Sequence, residues 1–359
     1  MPIREFTFTV DLPGSGTRLD RALRAHFPWR SREHFQGMID RGDVTVNGAA
    51  RKASLRLREG DLVAVAIAVP ADAPEKESAE GLVVLHEDDA LVAIDKPSGV
   101  VAHPTGRIRH GTLINRLHAR YRRTDAAGAP SAASGAGPAE KDVVPRLAHR
   151  LDKDTSGVVL VVKDRKLDAA VTRAFFRREV EKTYLALVVG DPATDGGLID
   201  RPIGPAPDAQ TLLEMTVRDD GQPSRTRWRV LERFGRFAFL ELSPLTGRTH
   251  QLRVHLRSIG HPIVADHLYG DPRPVHLSAC RPGVSAQDDV VVLDRLALHA
   301  HRLVLAHPVT GRPLSIVSPL PGDLVRTLAA LREASAAASA GGAREARRAP
   351  RVRRAGGAS

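Results

Sequence analysis

Two acids, two bases and a histidine stand within nine consecutive positions, from His149 to Gly157. The apolar run 158–162 follows directly and predicts a buried strand. A carboxylate beside an arginine at the start of such a strand would be held rigidly and kept ionised. An aspartate nucleophile or base is usually prepared in this way, so Asp152 is the first candidate catalytic residue.

The region that must position this loop, residues 82–332, reads mainly as strands with a few helices between them. Strands in succession with interspersed helices predict an α+β domain around a mixed, largely antiparallel β-sheet with flanking helices. The sequence has no glycine-rich phosphate loop after its first strand. Strands are predicted at 82–85, 91–94, 158–162, 183–189, 226–231, 237–242 and 303–306, and helices at 112–121, 164–180 and 249–259.

Residues 17–66 predict a small separate α+β module. Thr17 and Ser31 are placed to cap two amphipathic helices, and Gly42 is placed to end the second. A short strand then runs into an Asn47-Gly48 turn, which is typical of a β-hairpin. Arginines surround the two helices and favour RNA binding over a merely solvated helical face: Arg18, Arg21, Arg24, Arg30, Arg32 and Arg41.

Three other segments lack the periodicity of helices or strands. Residues 67–81 are polar and contain proline, which is typical of a linker. Residues 124–141 are rich in Ala, Gly, Ser and Pro and predict a disordered insertion in the catalytic region. Residues 333–359 predict a disordered basic tail, which either adds non-specific RNA affinity or is dispensable.

Composition narrows the class of protein. The 359 residues carry a formal net charge of +11, and the tail accounts for only part of it, so a polyanionic partner such as RNA is expected. A single cysteine, Cys280, excludes an intrachain disulfide and a cysteine-built metal site. With no signal peptide or membrane-length apolar run in this sequence, we expect a soluble, cytoplasmic monomer.

Four separated segments resemble the RluA family of pseudouridine synthases, and residues 17–66 resemble the RNA-binding module of ribosomal protein S-four. A late element at 296–300 with His307-Pro308 also fits the family, whereas Ala265 stands where the family usually has Gly. The order and spacing of the segments span almost the whole catalytic region. The four segments are Asp95–Pro104, His149–Gly157, Lys182–Gly190 and Thr246–His255, the last continuing to Tyr269-Gly270.

The resemblance implies an isomerase that converts uridine in RNA to pseudouridine without a metal or other cofactor. It implies that Asp152 is the catalytic carboxylate and that Arg248 pairs with it. It also implies that Tyr184 lies against the target base, where stacking fixes position rather than base identity. An additional role would give the Tyr184 hydroxyl a part in the loss of the proton from uracil C5.

Further residues are assigned to RNA contact. Arg150 would fill the space that the flipped base leaves, although contact with a phosphate is the alternative. His149 is either part of this group or a hydrogen-bonded structural residue. The remaining candidates for contact with phosphates are Lys96, Arg253 with Arg257 one helical turn later, and, in the amino-terminal module, Arg18 and Arg32.

Three functions were weighed. Ribosomal RNA of the large subunit is the expected substrate because the amino-terminal module accompanies such substrates in the family, and transfer RNA is the alternative. An RNA-binding ribosome-assembly factor with incidental catalysis is a second class. A metal-dependent hydrolase built on the fifteen histidines is a third, but His250 and His255 are five residues apart and lie on different faces of a helix.

Overall fold

The structure is a computed structural model that describes residues 3–10, 15–27, 32–68, 79–105, 108–121, 143–207, 214–281 and 283–348. It divides into two compact units. The first comprises residues 1–77 with 104–110, and the second comprises 78–103 with 111–359. The predicted cap at Ser31 and the predicted insertion at 124–141 lie outside the described residues.

The first unit packs two helices against a small antiparallel sheet in the order β1-β4-β2-β3. Its core is formed by apolar side chains of both helices and of the sheet, among them Leu23, Phe35 and Val63. Its elements are β1 (Ile3–Thr9), α1 (Leu19–His26), α2 (Arg32–Asp40), β2 (Val44–Val46), β3 (Ala49–Ala50) and β4 (Leu62–Ala68).

The turns of this unit confirm two predictions and correct others. Asn47 and Gly48 have positive φ angles of 53° and 77°, as the hairpin between β2 and β3 requires. Gly42, with φ 82°, follows the end of α2. The predicted Thr17 cap is wrong, because Arg18 is the N-cap and makes no side-chain capping bond. Strand β1 was not predicted, and β4 runs into the predicted linker as far as Ala68.

The second unit is built around a ten-stranded mixed sheet, which confirms the predicted α+β class. Its main order is β10-β13-β14-β9-β17-β8-β6-β5, while β18 pairs with β17 and β7 pairs with β8. The elements are β5 (Val83–Glu87), β6 (Leu91–Lys96), α3 (Leu113–Tyr121), β7 (Arg146–Leu147), β8 (Ser156–Val162), α4 (Arg165–Phe176), β9 (Glu181–Val189), β10 (Gly196–Asp200), β11 (Ile203–Pro205), β12 (Met215–Val217), β13 (Arg225–Arg233), β14 (Phe237–Pro244), α5 (Gln251–Ser258), β15 (Val275–His276), α6 (Leu277–Cys280), β16 (Val291–Leu293), β17 (Leu298–Ala306), β18 (Pro313–Val317) and α7 (Gly322–Arg348).

Strand β8 lies at the centre of this unit and is buried over its whole length. Val158, Leu160 and Val162 pack in a cluster with α4, and Val159 and Val161 pack in another with α3. The strand pairs antiparallel with β6 and parallel with β17. Because both faces of β8 are covered, its sequence is a continuous apolar run, and the chain just before it is held in a fixed position.

The carboxyl-terminal tail differs from the prediction. Helix α7 continues through the Ala-rich stretch to Arg348 instead of giving way to disorder at residue 333. Alanine and arginine are among the strongest helix formers, so this composition extends the helix although it offers no apolar face for a core. Neither α7 nor any other described helix combines the length and hydropathy needed to cross a membrane.

Candidate active site

The candidate nucleophile Asp152 lies in the loop between β7 and β8. The preceding Leu151 is buried and belongs to the cluster that includes α3. The Thr155 amide donates to the backbone oxygen of Asp152 at 3.2 Å, which turns the chain into β8. The Asp152 side chain remains 29% exposed. A fixed backbone with an accessible carboxylate suits a group that must reach a substrate.

The segment at the end of β6 anchors this loop. Lys96 is fully buried, and its Nζ donates to the backbone oxygens of Pro97, Val100 and Lys153 at 2.8–2.9 Å. The Ser98 hydroxyl donates to the backbone oxygen of Asp154 at 2.7 Å. The assignment of Lys96 to RNA contact is therefore wrong, since its ammonium points inward and bonds the backbone of Lys153, the residue after Asp152. Burial lowers the pKa of Lys96 to about 8, although Asp154 and Asp152 favour its charged form.

Arg253 of α5, rather than Arg248, forms the ion pair with Asp152. Its Nη1 lies 3.6 Å from Oδ2 of Asp152. The same guanidinium donates to both oxygens of the fully buried Asp266, at 2.8 and 2.7 Å. Arg253 is only 3% exposed, so the assignment of this residue to phosphate contact is wrong. Asp266 was not singled out from the sequence, because a pairing 13 residues away leaves no local pattern.

Arg248 lies before α5 and takes another role. Its Nε donates to the backbone oxygen of Pro223 at 3.4 Å, and its backbone amide donates to Oε1 of Gln251 at 3.1 Å. The predicted pair of Arg248 with Asp152 is therefore wrong. Arg248 lies outside α5, so the helix turns only Arg253 toward the loop.

Tyr184 of β9 lies near Asp152, and its contact with a target base stays a prediction. It packs between the cluster with Leu151 and α3 and the larger cluster that includes Leu242 and Leu252. Burial raises the pKa of the Tyr184 phenol, and the negative charge of Asp152 raises it further. The hydroxyl therefore stays protonated at neutral pH.

His250 and Tyr269 extend this network and were not assigned a role from the sequence. His250 is a non-glycine residue with φ 54° at the start of α5. Its Nδ1 lies 2.7 Å from the hydroxyl of Tyr269, which also accepts from the amide of Met215 at 2.9 Å. The guanidinium of Arg253 lies over the Tyr269 ring, 4.9 Å from its centroid. Burial lowers the pKa of His250, whereas the nearby Asp152 raises it.

The side chain of His149 packs inside the protein, whereas that of its neighbour Arg150 faces solvent. The Leu160 amide donates to Nε2 of His149 at 3.1 Å, and the imidazole stacks on Phe175 with ring centroids 4.9 Å apart. Burial lowers the pKa of His149 to about 3, which keeps the ring neutral. The RNA-contact assignment of His149 is therefore wrong, and its structural alternative is confirmed. Arg150 is exposed, and its contact with RNA stays a prediction.

The first residues of β8 join the loop to β17. Gly157 has φ 112°, and a Cβ at this position would lie 2.2 Å from the backbone oxygen of Ala300. The buried hydroxyl of Ser156 lies 3.0 Å from Nδ1 of His299. Only glycine permits this close approach of the two strands, so the tight turn after Asp152 depends on it.

Arg18 and Arg32 of the amino-terminal unit pair with one buried acid, Asp20. Arg18 donates to both oxygens of Asp20 at 3.1 Å, and Arg32 donates at 2.8 Å. Burial alone would raise the pKa of Asp20, but the two arginines outweigh it and lower the pKa to about 2. Both arginine side chains remain partly exposed, at 33% and 42%, so their contact with RNA stays a prediction.

The positions of the histidine, cysteine and acidic side chains bear on the alternative of a metal-dependent hydrolase. Within the described ranges, no three histidine, cysteine or acidic side chains are grouped so that they could hold a metal ion. His255, one of the two histidines weighed for a metal site, is buried and hydrogen-bonded to Thr226 and to the backbone oxygen of Arg201.

Known proteins are similar to this chain over most of its length. The RNA pseudouridylate synthase family matches residues 90–258, and the S4 domain matches residues 17–63. A ribosomal large subunit pseudouridine synthase D from Nitrosomonas europaea is 40% identical over 336 residues, covering 91% of this chain and 89% of that protein. Its namesake from Xanthomonas campestris is 37% identical, covering 90% and 92%. Among solved structures, human RNA pseudouridylate synthase domain containing 1 is 26% identical, covers 72% of this chain and 98% of its own, and has a TM-score of 0.49.

The chain therefore belongs to the RNA pseudouridylate synthase family and carries an amino-terminal S4 domain. The predicted reaction class, an isomerase that makes pseudouridine in RNA, is confirmed.

Proposed function

We propose that this protein isomerises uridines of large-subunit ribosomal RNA to pseudouridine, with Asp152 as the nucleophile. The observation that carries the proposal is the pairing of a partly exposed carboxylate with a buried, immobile guanidinium, that of Arg253. The anchoring of the loop by Lys96 supports it, because the carboxylate then requires little reorganisation to meet a substrate.

In the proposed reaction, the Asp152 carboxylate attacks C1′ of the target ribose. The bond between C1′ and uracil N1 breaks, and its electron pair stays on the uracil. The bound uracil rotates, its C5 attacks C1′, and the carboxylate leaves. N1 gains a proton and C5 loses one, so the atoms and electrons of substrate and product balance.

Arg253 and Tyr184 have separate parts in this scheme. Arg253 orients the Asp152 carboxylate, since its other donors are held by Asp266 and cannot turn away. Tyr184 supplies a ring against which the uracil can lie. Its raised pKa disfavours the phenolate, which argues against Tyr184 as the base that removes the C5 proton at neutral pH.

Arg150 is assigned to the position vacated when the target nucleotide flips out. It is exposed and stands two residues before Asp152, so the arginine and the carboxylate can engage the same nucleotide position. The choice of large-subunit ribosomal RNA rests on the names of the two relatives and on the amino-terminal S4 domain.

The proposal is tested by tritium release from RNA that carries tritium at C5 of uridine, because pseudouridine formation frees that atom. Wild type, Asp152→Asn and Asp154→Asn are compared on large-subunit ribosomal RNA and on transfer RNA. Asp154 is a matched control, since it is a carboxylate of the same loop with a similar exposure of 25%. We expect release from ribosomal RNA by wild type and Asp154→Asn, and none by Asp152→Asn.

Release by Asp152→Asn at the wild-type rate would exclude Asp152 as nucleophile, and release from transfer RNA alone would favour the alternative substrate. Pseudouridine mapping in a strain without this gene, complemented with wild type or Asp152→Asn, then identifies the modified uridine. If ribosome assembly is impaired without the gene and Asp152→Asn restores it fully, the assembly-factor function is the main one.

A further inference from the structure

The carboxyl-terminal end of α4 presents an aromatic ring to solvent. Phe176, its last residue, is 86% exposed, and the next most exposed large apolar side chain of the described chain is Val309 at 65%. The neighbouring Phe175 points the other way and packs against the cluster that contains β8. Folding therefore buries one ring of this pair and leaves the other without a role in the core.

Arginines border the exposed ring. Arg173 precedes Phe176 by three residues, so both lie on the same face of α4. Arg177 and Arg178 follow it, and all three arginines are exposed. The one carboxylate paired with them in this stretch is Glu179, which lies 3.9 Å from Arg177 and is itself exposed. The surface around the ring is thus positively charged.

The end of α4 packs against the segment that leads into the catalytic loop. The ring of Phe175 stacks on His149 at 4.9 Å, and Arg150 and Asp152 follow His149 in the catalytic loop. An ion pair between Arg146 and Asp168, at 3.3 Å, ties the start of the same segment to α4. The end of α4 is therefore tied to the segment that carries Arg150 and Asp152.

We propose that Arg173, Phe176, Arg177 and Arg178, here called the α4 platform, bind the substrate RNA with an unpaired base stacked on Phe176. The inference rests on the proposed function, because it places a flanking nucleotide of the same RNA. Every base offers a π-face to an aromatic ring, and the surrounding guanidiniums complement the phosphates on either side. A partner that bound by apolar contact alone would contact a single aromatic ring and would have to bury three arginines without supplying a counter-charge.

The test measures the Kd of a large-subunit ribosomal RNA fragment by fluorescence anisotropy for Phe176→Ala, Phe176→Leu, Phe176→Tyr and the surface control Val309→Ala. Loss of the ring should weaken binding by about tenfold, which is the order of one base stacked on an aromatic side chain. We expect Phe176→Leu to bind as weakly as Phe176→Ala, and Phe176→Tyr and Val309→Ala to bind as wild type. Thermal unfolding should be unchanged, since the side chain is exposed.

Three results would overturn the inference. These are wild-type affinity in Phe176→Ala, wild-type affinity in Phe176→Leu, and a fall in solution mass from dimer to monomer in Phe176→Ala, which would assign the ring to self-association. Tritium release by the wild type is measured in parallel and reports on the proposed function separately. Val309→Ala is expected to keep the wild-type rate, because Val309 lies outside the platform and outside the candidate active site.

Discussion

Removal of the guanidinium of Arg253 is the sharpest test of the active-site geometry. The variant Arg253→Met removes the charge 3.6 Å from Asp152 but keeps an unbranched side chain over Tyr269. At an effective dielectric constant near 20, two unit charges at this distance interact by about 5 kcal/mol. Asp152 is 29% exposed, so solvent screening reduces this to about 3 kcal/mol. We therefore expect kcat to fall on the order of 100-fold.

Stability must be separated from catalysis in this experiment. Arg253→Met leaves the carboxylate of Asp266 buried without its partner, which typically costs about 3–5 kcal/mol of unfolding free energy. The double variant Arg253→Met with Asp266→Asn removes that charge as well. The side-chain oxygen of the asparagine at position 266 can still accept hydrogen bonds from the backbone amides of Leu268 and Tyr269. We expect the double variant to regain most of the lost stability without regaining activity.

The assay combines single-turnover tritium release with urea unfolding for wild type, both variants and Asp266→Asn. A double variant that is stable and turns over within about fivefold of wild type would refute the electrostatic role of Arg253, since fivefold corresponds to only about 1 kcal/mol. Low activity in a well-folded double variant supports the pairing seen here.

Two further predictions concern the segments that hold the catalytic loop. Burial lowers the pKa of Lys96 to about 8, while a lysine of the unfolded chain titrates near 10.4. Between these pH values the unfolded chain therefore binds more protons than the folded chain. As the pH rises from about 8 to about 10.4, the unfolding free energy of wild type relative to that of Lys96→Met should increase by up to about 3 kcal/mol. A difference between the two proteins that does not change with pH in urea unfolding would contradict this prediction. Gly157→Ala should destabilise by about 3 kcal/mol or more, because the new Cβ meets the backbone of Ala300. Gly311→Ala, at a positive φ with open space around it, should lose only about 1 kcal/mol in the same measurement, and equal losses would rule out the steric explanation.

The sequence was sufficient for elements whose pattern is local. The apolar run after Gly157 predicted β8, and helical spacing predicted α3, α4 and α5 within a few residues. Strand β1 was missed, although it pairs with β4 along its length, because a single edge strand has little pattern of its own. The tail was assigned to disorder from its lack of large apolar residues, whereas its alanines extend α7.

In the candidate active site too, the sequence indicates what depends on a local motif but not what depends on contacts between distant segments. Asp152 and Tyr184 each stand in a motif that marks them, and the fold brings them close together, while their catalytic roles stay proposals. Arg248 and Arg253 stand in one motif and carry the same charge, so sequence alone could not show which of them reaches Asp152. Lysine is usually exposed, so its residue type favours a surface position for Lys96, whereas the structure buries it.

By itself, the sequence determined the α+β class, the order of the chemical motifs and the basic character that suits RNA. Only the tertiary structure decided that Arg253 reaches Asp152, that Lys96 turns inward to hold the loop, and that His149 is a neutral structural residue. Residue type and spacing specify which groups are available along one element. The direction of a side chain depends on which distant segment packs beside it, and that is settled only when β6, β8 and α5 come together.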